Sequence, residues 1–192
     1  MIFNLMANKK FYINLTLLLL MFAFFNSAHS QEDSFKDGIE KIIRESKCSV
    51  GAAIRELESG KTYLFNNDSN YPMQSVYKFP LAIAVLDRVD KGEFPLDKII
   101  KVTKKDLLPD TWSPLREKYP DGGDLKLSEI LTYTVSQSDN NGCDILFRLI
   151  GGPLEAERYI HGLGITDISI KNTEEEMHKD GTLQFDNSCK PS

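Results

Sequence analysis

Leu81-Ala82-Ile83-Ala84-Val85-Leu86 is apolar on nearly every face of a helix. A helix of that kind offers no side to water, so it must be wrapped by other elements in the middle of a core. Gly92 ends it, and Phe94-Pro95 marks the stop. The run leads out of Pro72-Met73-Gln74-Ser75-Val76-Tyr77-Lys78-Phe79-Pro80. Ser75 and Lys78 are three residues apart, about one helical turn, so their hydroxyl and amine can face the same way. Pro80 cannot donate to the carbonyl of Val76; the helix is either kinked there or irregular in its first turn. A serine is a poor nucleophile until a base takes its proton. A lysine that is desolvated, or held beside another cation, can be that base. The S-x-x-K spacing arises by chance roughly once in a chain of this length, so alone it describes a helix-capping serine equally well.

Residues 37–44 read as a short helix, with Ile39, Ile42 and Ile43 on one face. Ser49 to Ile54 and Thr62 to Phe65 read as a hairpin with a four-residue connection at Glu58-Ser59-Gly60-Lys61. Gly60-Lys61-Thr62 is not a phosphate loop, because Arg55 stands where its first glycine would be. Residues 97–103 are extended, and residues 107–123 are loop-rich. Residues 128–137 and Asn140 to Ile150 read as helices, the second stopped by Gly151-Gly152. Pro153 and Gly162 bracket a third. Residues 165–170 alternate in part, and Lys171 to Ser192 is polar, acidic and without period.

The chain has 192 residues and a net charge of −5, which argues against nucleic acid and anionic membranes as partners. Lys9-Lys10, an apolar run from Phe11 to Phe25, and small residues at Ala28 and Ser30 read as a cleaved secretory signal over residues 1–30. The run is too short for a membrane span. The mature chain, 31–192, is then one domain, expected in the periplasm or secreted, with no membrane attachment after cleavage. Cys48, Cys143 and Cys189 make no disulfide scaffold, and Cys143 reads as a small buried hydrophobe. No histidine pair has metal-ligand spacing, so neither a metal nor another cofactor is expected.

Two further stretches carry chemistry. Ser138-Asp139-Asn140 lies between two helices, where such residues usually cap. It also supplies a hydroxyl for proton shuttling and an amide for holding a carbonyl. Asn172-Thr173-Glu174-Glu175-Glu176-Met177-His178 reads by itself as a solvated acidic loop. A lone Trp112 is a packing anchor or an aromatic wall at a pocket mouth.

In this order, with apolar helices between them, these stretches resemble the class A serine β-lactamases, whose set is S-x-x-K, S-D-N and K-T-G. Met73-Gln74-Ser75, Lys78-Phe79-Pro80, Thr111-Trp112-Ser113-Pro114, Gly142-Cys143-Asp144-Ile145-Leu146 and Glu176-Met177-His178 look like the extended-spectrum branch that includes the PER and VEB types. The resemblance implies an α/β fold of β-lactamase/transpeptidase type, a helical domain plus an antiparallel sheet. It implies that Ser75 is acylated and that Lys78 is a base or proton relay. Ser138 would carry the proton to the leaving nitrogen, and Glu174 would activate the deacylating water. Asn140 would hold the side-chain amide of the substrate, and Trp112 would stand at the site entrance. The resemblance further implies a small β-lactam as the partner and a monomeric protein. In the commoner R-x-E-x-x-L-N loop, Asn172, Met177 and His178 replace the Arg, Leu and Asn, which removes the usual ion pair of that loop.

The K-[TS]-G triplet is missing, and Lys179-Asp180-Gly181 is too early and has the wrong middle residue. The expectation is a catalytic domain over 31–192 that is truncated before the K-[TS]-G strand, holds only the N-terminal hairpin of the sheet, and is inactive as it stands. A penicillin-binding peptidase shares the Ser/Lys and Ser-x-Asn devices, and a non-catalytic remnant or penicillin-binding module fits the missing triplet. Glu174 is what separates a hydrolase from the peptidase.

Overall fold

The computed structural model describes residues 34–192. The proposed signal over 1–30 lies outside them. The chain divides after Asn66 into two compact units.

In the first unit the chain is helical over 34–45 (α1). Strands β1, Ala52–Arg55, and β2, Thr62–Phe65, then pair antiparallel with Ala52 opposite Phe65. The connection is longer than the sequence suggested. It runs from Glu56 to Lys61, closed by Glu56 N–H on Lys61 O at 2.9 Å. Phe35 of α1 meets Tyr63 of β2 edge-on, with ring centroids 5.1 Å apart.

The second unit is built on α2, Lys78–Asp90. Strand β3, Tyr71–Pro72, and a 3-10 turn over Gln74–Tyr77 precede it. Pro80 is the third residue of α2, a position whose N–H has no helical partner, so the ring costs no hydrogen bond. The irregular first turn is thus the one that forms. Helices α4, Leu127–Ser136, α5, Asn140–Ile150, and α6, Pro153–Gly162, pack around α2. Leu81, Val85, Ile130, Leu146, Phe147, Ile150 and Ala156 fill the space between them. Gly142 lets α5 close on α4, since a Cβ there would sit 2.7 Å from Thr134 Oγ1. Gly151, at φ +98°, ends α5 in the left-handed conformation that glycine tolerates.

Two elements come from the stretch read as loop. Ser113 caps the short helix α3, Pro114–Lys118, and β5, Gly122–Lys126, pairs antiparallel with β4, Ile99–Thr103. A third sheet has the order β3-β7-β6, from Tyr71–Pro72, Ser188–Cys189 and Ile168–Ser169. The fold is α/β, helices with small antiparallel sheets, as the resemblance implies. The described residues hold more strand pairing than the single hairpin expected.

Residues 171–192 are ordered where the sequence shows no period. They form α7, Glu174–Lys179, a 3-10 turn over Gly181–Phe185, and β7. Side chain-to-backbone bonds, not an apolar stripe, hold them. Thr173 and Glu176 form a capping box on α7. The buried Asn187 accepts from Lys171 N and Asn172 N at 2.8 and 3.0 Å and donates to Asn172 O at 2.9 Å.

One side of α2 departs from the all-round burial expected. Phe79 and Leu86 are exposed, and with Leu96 and Val135 they line an apolar groove of about 390 Å³. No described element covers that side.

Candidate active site

Three segments converge on the Lys78 ammonium. The 3-10 turn sets Ser75 one turn ahead of it, with Nζ 3.3 Å from Ser75 Oγ. The link between α4 and α5 brings Ser138 O at 2.8 Å, Ser138 Oγ at 3.4 Å and Asn140 Oδ1 at 2.5 Å. The start of α7 brings Glu174 Oε1 to 3.0 Å. The side chains of Lys78 and Glu174 are only 3% and 13% exposed. A buried ion pair of this kind is tolerated where further hydrogen bonds satisfy it, which the surrounding oxygens do. Lys78 therefore touches the serine hydroxyl, a second hydroxyl and a carboxylate at once, the connectivity of a proton relay.

Each segment is held by its own buried anchor. Asp139 is fully buried and accepts from Ser113 Oγ, Leu115 N and Gly142 N, which pins the turn between Ser138 and Asn140. Asn140 Nδ2 donates to Thr111 Oγ1 at 2.6 Å. Asp144 of α5 is also buried, and its two oxygens accept Glu174 N–H at 2.8 Å and Glu175 N–H at 2.9 Å. Burial pushes the Asp144 carboxyl up to about 6, against the pull of those two N–H bonds. Met73 N–H donates to Asn187 O at 2.9 Å, tying the serine turn to β7. Gln74 and Ser138 both hold positive φ, +48° and +55°. Non-glycine residues there carry about 1–3 kcal/mol of strain each, which surrounding structure must enforce.

Two adjoining hollows of about 210 and 140 Å³ open over this cluster, and both are lined by Gln74, Asn140, Glu174, Met177 and Gln184. Ser75 lines the smaller one, and His178 lines the larger.

Ser75, Lys78, Ser138, Asn140 and Glu174, far apart in sequence, thus meet in one place. Trp112 is near but is not among the lining residues. It is 58% exposed, with Nε1 donating to Gln137 O at 2.8 Å. The solvated-loop reading of Glu174 does not hold; Glu175 instead faces outward and pairs with Lys179 at 2.7 Å. Sequence reasoning missed Tyr77, Asp144 and Asn187. Asp144 lies four residues after Asn140 on α5, a spacing that shares a helical face and could have revealed it. Asn187 carried no signal.

The chain belongs to the β-lactamase enzyme family, whose model matches residues 34–188. It is 44% identical to the β-lactamase VEB-1 of Pseudomonas aeruginosa over 92% of this chain and 60% of that one. It is 36% identical to the extended-spectrum β-lactamase PER-1 of the same organism, over 90% of this chain and 56% of that one. A crystal structure of a β-lactamase from Chitinophaga pinensis superposes with a TM-score of 0.78 at 55% identity, covering 81% of this chain and 57% of the other. The chain therefore spans somewhat under two thirds of the length of these relatives, and the class A resemblance to the VEB and PER types stands.

Proposed function

We propose that this site, where a K-[TS]-G strand completes it, opens the β-lactam ring of penicillins and cephalosporins through an acyl-enzyme and so confers antibiotic resistance. The observation that carries the reading is Lys78 Nζ lying between Ser75 Oγ and Glu174 Oε1. Ser75 Oγ attacks the lactam carbonyl carbon and gives its proton to Lys78 as the lysine passes one of its own to Glu174. The C–N bond breaks, and Ser138 Oγ hands the nitrogen a proton that Lys78 replaces, taking back the one on Glu174. Asn140 holds the substrate's side-chain amide, and Trp112 flanks the entrance. Glu174 then takes a proton from water, the hydroxide attacks the ester, and Ser75 leaves with a proton returned. Residues 31–192 belong to a monomeric catalytic domain behind a signal over 1–30, placing the protein in the periplasm or outside the cell. Among the described residues no helix is long and apolar enough to cross a membrane. A peptidase with the same Ser/Lys pair has no use for a carboxylate against the lysine, so Glu174 favours the hydrolase.

The test grafts residues 34–188 in place of the matched segment of the VEB-1 relative. The graft should form a penicillin adduct in intact-mass spectra and hydrolyse the drug, and Ser75→Ala should do neither. An adduct on the Ser75→Ala protein would refute the assignment of the nucleophile.

A further inference from the structure

Tyr77 sits inside the Ser75–Lys78 turn, fully buried, its ring stacked on Phe147 of α5 with centroids 6.0 Å apart. A phenylalanine would fill that space as well. The hydroxyl has a separate purpose: it ends 2.5 Å from Glu174 Oε1. A hydrogen bond this short to a carboxylate is charge-assisted, one of the stronger kinds. Burial first, then the Cys143 sulfur and Glu174, pushes the phenol far above its ordinary range, so the group stays a donor. Lys78 reaches the same oxygen at 3.0 Å. Among the described residues, these two are the donors to the carboxylate, and both use Oε1.

We infer that Tyr77 is a positioning residue, whose hydroxyl anchors Glu174 by Oε1 and leaves Oε2 to take the proton of the deacylating water. The inference rests on Glu174 being the deacylating base. Asp144 of α5 holds the same residue by its backbone, accepting Glu174 N–H at 2.8 Å, so Glu174 is fixed from two elements at once.

Two measurements test this. In the 192-residue chain, proton NMR should show a low-field hydroxyl resonance that is absent in Tyr77→Phe and moves upfield in Glu174→Gln. A chain without a resonance lost in Tyr77→Phe would overturn the inference. In the graft described above, Tyr77→Phe should lower kcat by about tenfold, the worth of one hydrogen bond, with KM within about twofold and the acyl-enzyme accumulating in intact-mass spectra. Phe147→Leu loosens the ring but keeps the hydroxyl and should leave kcat within about twofold. An unmoved kcat in Tyr77→Phe, or an equal loss in Phe147→Leu, would also overturn it. Full turnover in Glu174→Gln would instead show that Glu174 is not the base, while the resonance still reports whether the bond exists.

Discussion

Glu174 and Glu175 are adjacent and chemically identical, yet their surroundings give them different work. Glu174 is turned inward onto Lys78 and Tyr77, and Glu175 outward onto Lys179. In the graft, Glu174→Gln should still acylate but release product about 10²–10⁴ times more slowly, the usual cost of losing a general base. Intact-mass spectra after mixing should then show the acyl-enzyme persisting. Glu175→Gln should turn over within about twofold of the parent, because an exposed ion pair contributes little. The same accumulation in Glu175→Gln would mean that the two roles are reversed. At this scale the sequence was informative where residue type restricts chemistry. Ser75, Lys78 and Ser138 could be named as candidates because few side chains are able to attack, relay or shuttle, and the fold brings the three together. It was weaker for Trp112, since an aromatic in a loop serves equally as wall or anchor, and here the indole N–H is spent on Gln137 O.

Helices α5 and α6 were legible to their end residues, because an apolar stripe, a capping residue and a glycine or proline stop all agree there. The stretch from Lys171 to Ser192 was not. Its order comes from Asn187 and Asp144 binding backbone groups that only the fold brings near. Asp144 also gives this element a pH dependence. Its folded carboxyl titrates at about 6, above the ordinary value of 3.8, so the folded state binds that proton more tightly than the unfolded one. The resulting stabilisation is fully present below about pH 4 and is lost as pH rises through about 6. The loss amounts to about 3 kcal/mol, taking about 1.4 kcal/mol per unit. Relative to Asp144→Asn, the parent chain should therefore be most stable near pH 4 and lose ground up to pH 7. Urea unfolding of both proteins across that range measures the difference, and a flat difference would mean that the buried carboxylate is not paying this charge penalty.

For the molecule as a whole, the central helix and the three segments that meet at Lys78 were legible in the sequence, but not how the segments are joined. The strand pairs β4–β5 and β3-β7-β6 were missed or only half seen: β3, β6 and β7 are two residues long, too short for a period to show, and β5 opens with Gly122-Gly123 at the end of a loop-rich stretch. The 192 residues contain no K-[TS]-G triplet, and the groove along Phe79, Leu86, Leu96 and Val135 stays open. By the family resemblance, that triplet's strand supplies an oxyanion donor, and one such donor is worth about 10²–10³ in turnover. Assayed by themselves, the 192 residues should hydrolyse a chromogenic cephalosporin no faster than their Ser75→Ala variant. A rate clearly above that control would show that they suffice.

Strand β7 has a consequence for how such a site comes into being. It is two residues long and lies between β3, which leads into the serine turn, and β6, which leads into the loop bearing Glu174. Asn187, just before it, holds both neighbours. A ribosome delivers the chain from its N-terminus at about 5–20 residues per second. Ser75 and Lys78 are therefore made more than a hundred residues before the piece that fastens them to Glu174. During synthesis the Ser75–Lys78 turn exists for several seconds without Glu174, and only the emergence of Asn187 to Cys189 puts the two under one clasp.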